Sequence, residues 1–132
     1  MEVRAPVALR VLEGGRSLGT TEGGRLALSA GQHALEFVND DFEVRIARTV
    51  TVEPGRGLAV DLDLRGRVSL NAEPWAEVWL GNQRLGETPL GNVSLPVGRH
   101  EFVFRHPELG ERRAWGIVRG ASTTRLSVSF TR

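Results

Sequence analysis

The chain contains no cysteine, no lysine and no tyrosine. Without cysteine there are no disulfide staples, thiolate zinc sites or cysteine nucleophiles. That absence leaves the compartment open, because cysteine-free chains suit both the cytoplasm and the envelope. Without lysine, all seventeen basic residues are arginine, which the codon bias of a GC-rich genome explains more simply than a demand for guanidinium. No apolar run approaches the roughly 18–20 residues of a membrane helix. The opening "MEVRAPVALRVLEGG" starts with an acid and has no continuous apolar core, so no signal peptide is expected. An excess of one charge is also missing. Seventeen basic residues face sixteen acidic ones, and the signs are interspersed in stretches such as "EFVNDDFEVRIARTV". This balance argues against a nucleic-acid or anionic-membrane surface.

What the chain does have is repetition. Shifted by 67 positions, "LGTTEGGRLALSAGQHALEF" (18–37) lies over "LGETPLGNVSLPVGRHEFVF" (85–104). The identical pairs include Leu18/Leu85, Gly19/Gly86, Thr21/Thr88, Gly24/Gly91, Gly31/Gly98, His33/His100 and Phe37/Phe104. Further on, the first copy is read as carrying about two extra residues, so that "TVTVEPG" (49–55) lies over "AWGIVRG" (114–120). Two copies of one supersecondary unit follow from such a period. Each copy is a series of short runs that alternate apolar and polar residues, broken by glycine and proline. Examples are "VALRVL", "RLALSA", "HALEFV" and "TVTV" in the first copy, and "AEVWL", "NVSLPV", "EFVF" and "RLSVSF" in the second. No window has a helical period with caps. The expected fold is all-β: two small antiparallel β-sandwich (Ig-like) modules in tandem, residues 1–64 and 65–132.

The second copy resembles the PEGA domain, a small bacterial and archaeal β-sandwich module. The stretch that carries the resemblance is "SLNAEPWAEVWLGNQRLGETPLGNVSLPVGRHEFVF" (69–104), with Pro74, Ala76, the Gly81-Asn82 turn, Gly86, Thr88, Pro89, Gly98 and His100 in the family's positions. Trp75 stands where the family often has glycine. The first copy keeps "LGTT", "AGQH" and "TVTVEPG" and is similar as a divergent second PEGA-like module. The resemblance implies a non-catalytic interaction or scaffold segment of a larger bacterial protein. The settings it implies are envelope-associated or periplasmic, for instance the extracytoplasmic part of a Ser/Thr kinase or similar receptor. It implies a protein partner or attached domains, with no cofactor and no catalytic residue.

Chemistry-bearing residues are sparse. His33 and His100 are equivalent and fall in different modules, so each reads as closing a turn or packing at a strand start rather than as a metal ligand. His106, before Pro107, reads as a turn residue. The serines lie in alternating runs, not on a strained nucleophile turn. Calcium at Asn39, Asp40, Asp41 and Glu43 is set against short ligand spacing and against the equivalent "RHPELG", which offers no such ligands. Arg112 and Arg113 read as a charged edge strand before an anion clamp. In "WAEVWL", strand alternation puts Ala76, Val78 and Leu80 on one side and Trp75, Glu77 and Trp79 on the other. The family's core side is the Ala-x-Val side, so the indoles are expected to point outward. Trp75, Glu77 and Trp79, with Arg84 at the periphery, are therefore the candidate surface for a protein partner. A glycan or peptidoglycan stacking on Trp75 and Trp79 is the alternative. Trp115, set over Val50 by the alignment, is expected to be buried.

Overall fold

A computed structural model describes residues 1–22 and 25–130. Gly24, one member of an identical pair, lies outside them. Every regular element among the described residues is a strand, so the fold is all-β, and the chain divides into two compact units, Met1–Leu64 and Arg65–Arg132.

The second unit is built on strands β7 (Arg65–Glu73), β8 (Glu77–Leu80), β9 (Gln83–Glu87), β10 (Leu90–Pro96), β11 (Gly98–His106), β12 (Gly110–Val118) and β13 (Thr123–Ser129). They form two sheets, ordered β10-β7-β13 and β12-β11-β8-β9. All ladders are antiparallel except β7 with β13, which run parallel. Alternate residues of both sheets meet in one core. Val68, Leu70 and Ala72 come from β7 and Leu95 from β10; Val78, Phe102, Phe104 and Val118 come from the other sheet, and Phe130 closes one end. Burying each of the large side chains contributes roughly 1.5–3 kcal/mol, and the two-residue alternation delivers them to one side of every strand.

The first unit has β1 (Glu2–Arg4), β2 (Arg10–Glu13), β3 (Arg16–Thr20), β4 (Gly31–Asn39), β5 (Val44–Val52) and β6 (Ala59–Asp61). Its sheet β3-β2-β4-β5 repeats the order β9-β8-β11-β12 of the second unit. The repetition extends to register. Val11 pairs with Gly19 and Phe37, as Val78 pairs with Gly86 and Phe104, and a bulge follows Val11 as one follows Val78. Backbone angles agree as well: φ is +59° at Gly14 and +60° at Gly81, and +121° at Gly31 and +140° at Gly98. These are angles that glycine adopts freely and other residues avoid. The threonines of the repeated motif also match. Leu9 N donates to Thr21 Oγ1 at 2.9 Å, and Ala76 N to Thr88 Oγ1 at 3.0 Å. In return, each threonine N–H donates to the carbonyl of that same residue.

The other sheet of the first unit is much reduced. It consists of β1 and β6 in parallel, flanked by a single bridge between Glu2 and Arg25. "RLALSA", expected as a strand, contributes only that bridge, because its neighbour β1 is three residues long where β7 is nine. With so little partner backbone, the ladder cannot extend.

Candidate functional site

The outward face of the sheet β12-β11-β8-β9 carries most of the chemistry in the second unit. Strand pairing arranges its side chains in rows. One row runs Glu87, Glu77, Arg105, Glu111; the next runs Arg84, Trp79, Val103, Arg113; beyond them Glu101 pairs with Trp115 and Arg99 with Ile117. Trp79 is half-buried. Its Nε1–H donates to Glu77 Oε1 at 3.2 Å, and the Arg105 guanidinium stands 5.0 Å from its ring centroid. Arg84 reaches Glu77 at 3.7 Å and Glu87 at 3.6 Å. Thus Glu77, Trp79 and Arg84, three of the four residues singled out from the sequence, meet in one group. Arg105 and Arg113 pair with Glu111 at 3.1 and 3.2 Å, and Arg113 also with Glu101 at 3.0 Å. Exposed pairs of this kind contribute about 0–1 kcal/mol each, so their effect is to fix side-chain directions around Trp79 rather than to hold the fold.

Trp75 sits elsewhere. It precedes β8, is 37% exposed, and packs on His106 with ring centroids 4.7 Å apart. His106 in turn lies 6.0 Å from Phe130, and the Arg112 guanidinium stands over Phe130 at 5.6 Å. Trp75 therefore belongs to the end of the sandwich where Phe130 closes the core. Strand alternation had grouped it with Trp79, but the extended strand begins only at Glu77, and the alternation rule has no hold on a residue outside it.

Trp115 takes its place. Expected to be buried, it is 60% exposed, on the same face as Trp79 and with the Arg99 guanidinium 5.4 Å from its ring. The cause is a register error of one residue. His33 pairs with Val50 and its equivalent His100 with Gly116, so Trp115 corresponds to exposed Thr49, not to Val50. The two copies differ by one residue in this loop, not two, and a one-residue slip turns every side chain to the opposite face. The core-facing position is occupied by Gly116 instead. A Cβ there would lie 2.7 Å from Leu126 Cδ1 and 3.0 Å from Phe102 Cε2. One strand separates Trp79 from Trp115, which places their backbones roughly 12 Å apart.

The histidines serve the turns. The Nε2 of His33 lies 2.8 Å from the Ser29 carbonyl and that of His100 2.7 Å from the Pro96 carbonyl, equivalent residues in the two copies. His33 differs in having Glu13 Oε2 at 2.8 Å from Nδ1, a contact that sequence reasoning missed because Glu13 and His33 are brought together only by the pairing of β2 with β4. The Ser29 carbonyl, and then Glu13, raise the pKa of His33 above its ordinary value, since only the imidazolium donates to both acceptors at once. At the β4–β5 loop, Asn39 accepts from Phe42 N and donates to the Ala8 carbonyl, while Asp40 pairs with Arg10. Two of the four residues considered for calcium, Asn39 and Asp40, thus have side-chain oxygens engaged in the loop's own contacts. His106, equivalent to Asn39, likewise accepts from the backbone N–H groups of Glu108 and Leu109. Among the described residues no group of three or more His, Asp or Glu is arranged to hold a metal ion, and no helix is long and apolar enough to cross a membrane. No protein-family model, no curated protein and no solved structure matches the chain.

Proposed function

We propose that the chain is a non-catalytic interaction segment that docks a protein partner on the outward face of the sheet β12-β11-β8-β9. The observation that carries this reading is Trp115, 60% exposed beside Trp79 on a surface of alternating charge. Tryptophan and arginine dominate the energetics of protein interfaces, and a rim of mixed charge sets register and partner choice. The contact residues are Glu77, Trp79, Arg84 and Trp115, with Trp75 outside the group. The PEGA-like turn pattern supports the same reading and points to a scaffold or docking role within a larger bacterial envelope protein or receptor kinase. A glycan platform is less favoured. Flat stacking of a sugar needs an open indole face, and guanidinium groups already stand over Trp79 and Trp115.

The test is affinity capture on the immobilised chain, followed by calorimetry with the purified partner. Trp115→Ser and Trp79→Ala should each weaken binding by about tenfold or more, and equal affinity would overturn the proposal. A shift in tryptophan emission on adding soluble glycans, with no protein partner captured, would favour the glycan reading instead.

A further inference from the structure

The near-neutral chain conceals two oppositely charged units. Residues 65–132 contain ten arginines and six carboxylates, a surplus of four positive charges; residues 1–64 contain seven arginines and ten carboxylates, a deficit of three. In the second unit the surplus gathers on the outward face of the sheet β10-β7-β13. Along β7, Gly66, Val68, Leu70 and Ala72 face the core, while Arg65, Arg67, Ser69 and Asn71 alternate on the solvent side. On β13, Arg125 pairs with Ser69 and continues the line, between exposed Thr123 and Ser127. Among the described residues none of Arg67, Arg119 and Arg125 meets a carboxylate. The other sheet contrasts with this, since its arginines are paired to glutamates or stacked on aromatic rings.

At one end of the line the β12–β13 turn closes against β7 and leaves a cleft of about 220 Å³ lined by Arg65, Arg67, Arg119, Ser122 and Thr123. The close approach depends on Gly66, where a Cβ would come within 2.0 Å of the Arg119 carbonyl oxygen. Backbone packing thus holds Arg119 beside the two arginines of β7. Of the three, Arg67 and Arg119 meet no carboxylate, and Glu73, the acid of β7, lies at its far end.

We propose that this face binds an extended acidic segment of another protein, its carboxylates lying along β7 and β13 and one of them entering the cleft. Alternate residues of a strand are roughly 6.6 Å apart. Arg65, Arg67 and the Ser69 level of Arg125 therefore repeat at the spacing of every second side chain on an extended peptide. Arginine pairs carboxylates in bidentate fashion, and Ser69, Asn71 and Ser127 offer hydrogen bonds between the charges. Single-stranded nucleic acid fits less well, because β7 and β13 present no aromatic ring on this face for bases to stack on.

Fluorescence anisotropy tests this with a labelled peptide alternating Glu and Ser, a Lys-Ser peptide of the same length, and an oligothymidylate. The acidic peptide should bind and the basic one should not. The double variant R67A/R125A should weaken binding by about tenfold or more and Arg119→Ala by several-fold, while Arg67→Lys retains an intermediate affinity. Trp79→Ala and Trp115→Ser, on the opposite face, should leave it unchanged, so this surface and the tryptophan surface stand or fall separately. All these positions are at the surface, and unchanged circular dichroism would confirm that the variants fold. Failure of the acidic peptide to bind at about 1 mM protein in low salt, equal affinity for the double variant, or tighter binding of the oligothymidylate would each overturn the proposal.

Discussion

Thr88 is the one buried polar residue among those described, 8% exposed. Its hydroxyl accepts the Ala76 N–H at 3.0 Å in a buried setting. Replacing Thr88 with valine keeps the volume and removes the acceptor, stranding an amide inside the second unit. Such a loss costs about 1–3 kcal/mol. The equivalent bond in the first unit, Leu9 N to Thr21 Oγ1 at 2.9 Å, is only partly buried, so water can replace the hydroxyl and Thr21→Val should cost less than about 1 kcal/mol. The assay is convenient, because Trp75, Trp79 and Trp115 all lie in the second unit and their emission follows its unfolding alone. At a urea m-value of about 1 kcal/mol/M, Thr88→Val should lower the midpoint by about 1–3 M. Thr88→Ser, which keeps the oxygen, should lower it by less. Amide exchange at Leu9 reads the Thr21 variant. A Thr88→Val midpoint within about 0.3 M of the parent would refute the idea that this bond ties the strand entry to the core.

Three further outcomes can be checked. Gly66→Ala should destabilise the second unit by about 3 kcal/mol or more, because the obstacle is backbone; Gly116→Ala, which meets movable side chains of Leu126 and Phe102, should cost about 1–3 kcal/mol by the same urea titration. Proton NMR should find the His33 pKa above about 6.5, and Glu13→Gln should bring it down. Since the folded pKa is the raised one, the stabilisation is fully present below the unfolded value and is lost as pH rises through the folded value. Exchange protection of the first unit should therefore decline on that rise, and His33→Gln should abolish the trend. Phe102→Ala, which removes a fully buried ring, should cost about 3–5 kcal/mol in thermal or urea unfolding.

The all-β class was legible in the sequence because period-two alternation and turn glycines are local signals. β3 and β9 were not, since "RSLGT" and "QRLGE" are half-exposed strands without an apolar face to alternate. The candidate site was legible in part. Trp79 declared itself by parity within a true strand. Trp75 was misplaced because it precedes the strand, and Trp115 because a one-residue difference in a loop is invisible to an alignment of short, weakly similar segments. Glu13 beside His33 could not have been found locally, for the two residues meet only across a ladder. The separation of charge between the units was present in the composition but hidden by the whole-chain total.

The coincidence of register and bulge between β2–β3 and β8–β9 has a practical consequence. The two hairpins are interchangeable parts. Residues 10–20 begin and end on partners equivalent to those of residues 77–87, with the bulge at the equivalent place. Grafting one into the other's position therefore needs no new loop. A chimaera carrying the second hairpin in both positions would display a second Glu77–Trp79–Arg84 group on the first unit, turning a chain with one such surface into a chain with two.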